Sequence, residues 1–116
     1  MLSGLLSKQA SLGFASTDGS FTVSKTNNTS DPSLTEMVSD KYTVPAGGTS
    51  TINFGNITTG KILWLKNAIP GISLVINGSV ILPISGFVMM ELTISTLDIV
   101  NATAAPVIVD VTIFGV

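Results

Sequence analysis

The sequence predicts an all-β protein: an antiparallel β-sandwich of jelly-roll type, with an N-terminal extended arm over residues 1–19 and one domain over residues 20–116. Three observations support this prediction. Apolar and polar residues alternate with a period of two, which is typical of half-buried strands. Turn residues separate short apolar runs at regular intervals. No segment after residue 20 has the 3.6-residue period of an amphipathic helix.

The first half of the chain combines an apolar leader with alternating strands. The leader is a leucine-containing segment followed by a Ser/Gly-rich stretch that ends at Gly19, and we expect it to dock on another chain. Residues 26–33 read Thr-Asn-Asn-Thr-Ser-Asp-Pro-Ser, a composition typical of a loop. Alternation predicts strands at Ser20–Lys25, Glu36–Val44 and Thr49–Phe54, with a turn at Pro45–Gly48.

From residue 61 the predicted strands become apolar on both faces. Asn77-Gly78 is the strongest turn signal, because both central positions of a type I′ turn need a positive φ. The other predicted turns are Ala68–Gly71, Ser85–Gly86, Ser95–Thr96 and Asn101–Pro106. The predicted strands are Lys61–Lys66, Ile72–Ile76, Val80–Ile84, Phe87–Ile94, Leu97–Val100 and Val107–Phe114.

Two apolar faces need more than one core to cover them. A sandwich core buries one face of each sheet, so the second face requires a covering helix or a partner subunit. Because no helical period is present, the sequence favours a partner and predicts a homo-oligomer. The residues expected at the interface with another copy or with a larger shell are Leu2, Leu5, Leu6, Trp64, Met89, Met90, Ile108 and Phe114.

One uncharged segment invites a membrane interpretation. Residues 68–90 are 23 residues without a charge, which is long enough to cross a bilayer. Pro70, Pro83 and the Asn77-Gly78 turn favour strands over a helix, so we expect no membrane partner. Residues 1–8 lack the basic and apolar regions of a signal peptide.

The composition argues against several classes of function. The chain has no Cys and no His, which excludes disulfides, thiolate or imidazole metal ligands and a Ser-His-Asp triad. Five Lys, no Arg and a net charge of −2 give no basic surface for nucleic acid. Only 10% of the residues are charged, so much of the surface is hydroxyl-rich or buried in an assembly. We expect no enzymatic activity and no cofactor.

Three features of the sequence resemble catalytic or ligand-binding sites. Gly55–Lys61 has the glycines and the lysine of a phosphate-binding loop, but Ile62 replaces the Mg²⁺-binding hydroxyl and a strand follows where a helix is needed. Glu36 and Asp40 share one face of a predicted strand at about 13 Å, too far apart for a pair of glycosidase carboxylates. The acidic loop residues Asp18, Asp31 and Asp98 leave a Ca²⁺ site open, although no EF-hand pattern is present.

Asparagine and tryptophan each leave two interpretations. Five of the seven Asn lie in Asn-x-Ser/Thr sequons, which we interpret as turn chemistry, because a glycosylation route would need a signal peptide. Trp64 is the only Trp, and Leu63 and Leu65 flank it. It is expected in the core or at an interface, with a sugar-stacking platform as the alternative.

The second half also has a characteristic succession of strands and turns. Ile62–Lys66 leads into Asn67–Pro70, and Ser73–Gly78 and Leu82–Gly86 precede a Phe-Val-Met-Met run. Leu92–Asn101 then leads into a final Val/Ile strand that ends in Phe-Gly. Over residues 60–116 the chain resembles small β-sandwich structural proteins of tailed bacteriophages, a group that includes capsid decoration, or cement, proteins.

This resemblance implies a structural virion protein without catalytic residues. It would form a trimer on the capsid exterior, with the major capsid protein as its partner. The alternative is a tail-associated carbohydrate- or receptor-binding module. Five of the seven aromatic residues are Phe, whereas sugar-binding modules expose several stacking aromatics, so the composition favours the structural role.

Deleting residues 1–19 should leave the remaining fold intact and weaken attachment to the shell, because the arm is expected to contact another chain. Circular dichroism of the truncated protein measures the first effect, and co-sedimentation with particles measures the second. A truncated chain that fails to fold would show that this segment belongs to the core.

Overall fold

The computed structural model describes residues 6–15, 17, 22–31 and 34–116. These residues form two compact units, a two-stranded hairpin within Ser3–Leu34 and a six-stranded sheet within Thr35–Val116. Every strand pair is antiparallel, which confirms the all-β antiparallel class. The described residues contain no helix, and so none that is long and apolar enough to cross a membrane.

The hairpin unit corrects one sequence-based prediction. Strand β1 (Leu6–Ala15) pairs with β2 (Thr22–Asp31), from Leu6 opposite Asp31 to Ala15 opposite Thr22. The prediction of a loop at residues 26–33 is therefore wrong for residues 26–31. Pairing with the preceding strand β1 overrides the polar local composition, because strand formation depends strongly on context. β1 lies inside the predicted arm, so deletion of residues 1–19 removes the partner strand of β2, and only the larger unit is expected to keep its fold. Docking of the arm on another chain stays a prediction.

The larger unit consists of six strands that share one sheet. The strands are β3 (Glu36–Val44), β4 (Thr49–Thr51), β5 (Gly60–Ile76), β6 (Val80–Ile94), β7 (Leu97–Asn101) and β8 (Val107–Gly115). The centre of the sheet is a long hairpin, in which β5 pairs along its length with β6. β8 pairs with the first half of β5 and β7 with its second half.

The outer strands complete two half-sheets that face a common core. β3 pairs with β8 and β4 pairs with β7. The order is therefore β3-β8-β5-β6 in one half and β4-β7-β5-β6 in the other. β3 and β4 also contact each other, so the unit is nearly barrel-shaped.

Two predicted turns are irregularities inside long strands. The turn at Ala68–Gly71 lies within β5, where the pairing with β6 shifts register on both sides of Ala68. The turn at Ser85–Gly86 lies within β6. Gly71 and Gly86 have φ of 95° and 93°, a conformation that glycine adopts without a steric penalty. These glycines disturb the ladder without reversing the chain, as in a β-bulge.

The Asn77-Gly78 turn is confirmed. Asn77 and Gly78 have φ of 55° and 75°, as the two central residues of a type I′ turn require. The Ser79 amide donates to the Ile76 carbonyl at 3.2 Å and closes the turn. The Asn77 side chain also accepts from the Ser95 amide at 2.6 Å, which ties the hairpin tip to the β6–β7 connection.

Alternation along the strands separates the core from the surface. In β8, Val107, Val109, Val111 and Ile113 are buried, and the residues between them point outward. The core receives side chains from both half-sheets and from the 52–57 loop. Its buried members are Val44, Ile52, Ile57, Leu63, Leu65, Ile72, Leu74, Ile76, Ile84, Ile94, Leu97, Ile99, Val107, Val109, Val111 and Ile113.

Asn101 is the one polar side chain that is buried among the described residues, with an exposure of 0%. Its Nδ2 donates to the carbonyls of Val44 at 3.1 Å and Ala105 at 2.8 Å. Its Oδ1 accepts from the amide of Thr103 at 2.9 Å and from the hydroxyl of Thr103 at 2.6 Å. The side chain therefore uses its full donor and acceptor capacity, and it joins the end of β3 to the β7–β8 loop.

Asn101→Ala should lower the free energy of unfolding by about 2–4 kcal/mol, because it removes the side-chain partners of the buried Val44 carbonyl and of the Thr103 amide. Asn56→Ala is the control, since Asn56 is exposed in a turn and its loss should cost less than about 0.5 kcal/mol. Urea denaturation of both variants measures the difference. Equal effects would mean that the Asn101 network does not hold the fold.

Candidate interaction surface

The outward side of the β3-β8-β5-β6 half-sheet is the surface richest in predicted interface residues. We call it the outer face. Neighbouring strands align its residues in rows, because directly opposed residues point to the same side of a sheet. Its members are Met37, Ser39, Lys41 and Thr43 of β3, Ile108, Asp110, Thr112 and Phe114 of β8, Ile62, Trp64 and Lys66 of β5, and Phe87, Met89 and Glu91 of β6.

Aromatic and methionine side chains meet at the centre of the outer face. The rings of Trp64 and Phe87 contact edge to face, with centroids 5.7 Å apart and an interplanar angle of 72°. Trp64 lies directly opposite Met89 of β6, and Phe114 lies opposite Met37 of β3. Phe114 is also the diagonal neighbour of Trp64, since Trp64 lies opposite Thr112. These five residues form what we call the apolar patch.

Much of the apolar patch is open to solvent. Phe87 is 54% exposed, Met37 43% and Met89 36%, while Trp64 and Phe114 are half-buried. Single exposed apolar side chains are common, but contiguous ones mark interaction surfaces. Trp, Phe and Met are also the residue types enriched at protein interfaces.

A polar row borders the apolar patch. Asp110 lies directly opposite Lys41 on one neighbouring strand and Lys66 on the other. Next to this row, the hydroxyls of Ser39 and Thr112 are hydrogen bonded to each other at 2.7 Å. A mostly apolar centre beside polar residues has the composition of a docking interface.

The structure brings together part of the predicted interface. Trp64, Met89 and Phe114 lie in the apolar patch, and Ile108 lies on the outer face with an exposure of 57%. Met90 points the opposite way and packs against the core. The side chains of Leu2, Leu5 and Leu6 lie outside the described residues.

The expected interface omitted Phe87. The sequence contained the signal, because the period of two already assigned Phe87 and Met89 to one side of the strand. Proximity to Trp64 was not visible from the sequence, since it depends on the register between β5 and β6.

The motifs that resembled catalytic sites have no matching geometry. Gly60 begins a β-strand where a phosphate-binding loop would need a helix N-terminus. Asp40 lines a cleft between β3 and residues 52–55 with Tyr42 and Asn53, and the Tyr42 hydroxyl accepts from the Asn53 amide at 3.2 Å. Within the described part of the chain, no group of three acidic, His or Cys residues is placed to hold a metal ion.

Comparisons with protein-family models, with curated proteins and with solved structures find no match to this chain. The chemistry of the outer face is then the basis on which a function can be proposed.

Asp110→Asn should lower the free energy of unfolding by about 0.5–1 kcal/mol at low salt, because Lys41 and Lys66 lose the opposite charge between them. The loss should disappear at 1 M salt, where exposed charges are screened. Asp40→Asn is the control, since Asp40 lies opposite the uncharged Val111. Urea denaturation at both salt concentrations tests this. A loss of the same size at both salt concentrations would exclude a charge effect.

Proposed function

We propose that this protein is a structural assembly protein that performs no chemistry and docks through the apolar patch on a larger protein surface. In the form that the resemblance implies, it is a homo-oligomeric decoration protein on the exterior of a tailed-phage capsid. The observation that carries the proposal is the contiguous patch of Trp64, Phe87 and Met89 on an outward sheet face. Exposure of this kind is costly in water unless a partner covers it.

The low charge of the chain supports docking by apolar contact. Only 12 of the 116 residues are charged, from five basic and seven acidic side chains. The outer face carries Lys41, Lys66, Asp110 and Glu91, and the Lys41-Asp110-Lys66 row has both signs interspersed. Attachment should therefore depend weakly on salt, because apolar burial is not screened as exposed charges are.

A docking protein of this kind stabilises its target by mass action. It binds the assembled shell and not the separate subunits, so each occupied site adds RT ln(1 + [L]/Kd). That is about 2.7 kcal/mol per site when the free concentration is a hundredfold above Kd. Repeated over many sites, modest affinity is enough to resist disassembly.

The finer architecture belongs to the same proposal. We infer a sandwich of jelly-roll type, supported by two half-sheets that send Leu65 and Ile113 from one side and Leu74 and Ile99 from the other into one core. Such a sandwich leaves the outward side of each half-sheet available for contacts.

The apolar patch supports protein docking better than sugar binding. Sugar platforms combine an open aromatic face with free hydrogen-bonding groups. Here the Phe87 ring meets Trp64 edge to face, and the nearby hydroxyls of Ser39 and Thr112 are bonded to each other. A tail-associated carbohydrate module remains the second candidate, and glycan binding by the isolated protein would support it.

The test uses phage particles that have been stripped of this protein. Adding back the wild-type chain should raise the temperature of genome release, and the double variant Phe87→Glu with Met89→Glu should bind at least tenfold more weakly. Ile81→Glu is the matched control, because Ile81 lies on the same strand, is 69% exposed and is outside the patch.

The outcomes separate the alternatives. Equal release temperatures for bare and decorated particles, or ready detachment at 1 M salt, would overturn the proposal. Circular dichroism of each variant confirms that lost binding does not reflect lost folding.

A further inference from the structure

The free edges of the larger sheet differ in how they are protected. Among the described residues, β3, β4 and β6 each pair on one side only. An unpaired edge presents backbone donors and acceptors that can pair with another strand, and proteins block such edges with charges, prolines or short strands. The protection of each edge therefore indicates which of them is open to a partner strand.

Two of the three edges are protected. β4 is only three residues long. β3 carries three charged residues, Glu36, Asp40 and Lys41, and the 52–55 segment lies beside it through the hydrogen bond between Tyr42 and Asn53. Both features are typical of edges that do not accept another strand.

β6 is the long and weakly protected edge. It has 15 residues, of which only Glu91 is charged. Pro83 interrupts the donors of its first half, because proline has no backbone N–H. The second half, Phe87–Ile94, contains no proline and carries the exposed Phe87 and Met89. We call this stretch the open edge.

We propose that the open edge of β6 pairs antiparallel with the open edge of a second copy of this chain. The partner must be an extended strand, because only a strand matches a row of alternating backbone donors and acceptors. A second copy fits because the segment is apolar on both sides and has one charge. In a two-fold pair centred on Met90, Val88 lies opposite Leu92 and Glu91 lies opposite Met89, so the like charges are not opposed.

Edge pairing has a consequence for the outer face. A two-fold axis perpendicular to the sheet keeps both outer faces on one side and joins two four-stranded half-sheets into an eight-stranded one. The Phe87 and Met89 side chains of both copies then lie beside the junction. If the proposed docking function holds, two apolar patches would engage one shell together, and the second contact would be intramolecular. The pairing itself does not depend on that function.

The absence of Cys allows a direct test with the full-length chain. Each residue from 87 to 93 is replaced in turn by Cys, and the purified protein is oxidised. Because each variant has one thiol, any disulfide joins two copies. We expect a cross-linked dimer at the central position of the pair, with yield falling at positions two or more residues away. Ser39→Cys on β3 is the matched control and should remain uncross-linked.

Sedimentation equilibrium and hydrogen exchange complete the experiment. The wild-type chain should sediment as a dimer, and Met89→Glu should be at least tenfold more dissociated, because residue 89 lies opposite Glu91 of the second copy and the like charges repel. Ser39→Glu on β3 is the control and should match the wild type. Amides of residues 87–94 should become more protected as concentration rises, which side-chain contact alone would not produce.

Three results would overturn the inference. These are a wild-type monomer at about 100 μM, no cross-link at any β6 position, or a trimer, which a two-fold strand pair cannot form. The isolated chain is used throughout, so failure here leaves the particle-binding test intact. Conversely, loss of particle binding by a dimeric chain would reject only the docking function.

Discussion

The fold depends on one buried amide at the place where the long hairpin changes neighbours. β5 pairs with β8 through its first half and with β7 through its second half, so the chain has to bend between Lys66 and Ile72. The Ala102 amide donates to the Gly71 carbonyl at 2.9 Å, and the Asn101 amide donates to the Gly48 carbonyl at 2.8 Å. The Asn101 side chain then joins these segments to Val44. Three connections therefore meet at two adjacent residues, the buried Asn101 and its neighbour Ala102.

At this bend, the Thr103 side chain leaves no room for a side chain at position 71. A Cβ on Gly71 would lie 2.6 Å from Cγ2 of Thr103, which Asn101 holds through two hydrogen bonds. The Thr103 side chain cannot move away from a Cβ at position 71 without breaking these hydrogen bonds. The bend therefore requires glycine, both because φ is 95° and because there is no room for a side chain. Because buried polar groups need all their partners, the network fixes one arrangement of the bend.

Local pattern predicted the strands, and long-range contacts decided how they join. The alternation of Glu36–Val44 and the Asn77-Gly78 turn are encoded by adjacent residues, and both were predicted correctly. Glycine, proline and polar residues at 68–71 and 26–31 indicate turns locally, but pairing with the adjacent strand of a hairpin, β6 and β1 respectively, holds them extended. Asn101 was interpreted as turn chemistry. Its burial follows from packing that no single sequence pattern reveals.

The apolar patch could be predicted only in part, for a related reason. Strands that are apolar on both faces indicate that the face turned away from the core needs a partner. Trp64, Met89 and Phe114 do share that outer face. Met90 did not join them, because the period of two that exposes Met89 turns its neighbour into the core. Phe87 joins Trp64 through register, a property of the pair of strands.

The strand β6 contributes to both proposed contacts, and the two groups of atoms involved point in different directions. Its outward side chains, including Phe87 and Met89, belong to a sheet face, while its backbone forms the edge of the same sheet. A partner on the face makes contacts through side chains, and a partner at the edge makes contacts through N–H and C=O groups. The two surfaces therefore do not compete for the same atoms. The two proposals, self-pairing and docking on a larger shell, can therefore hold together on one low-charge strand.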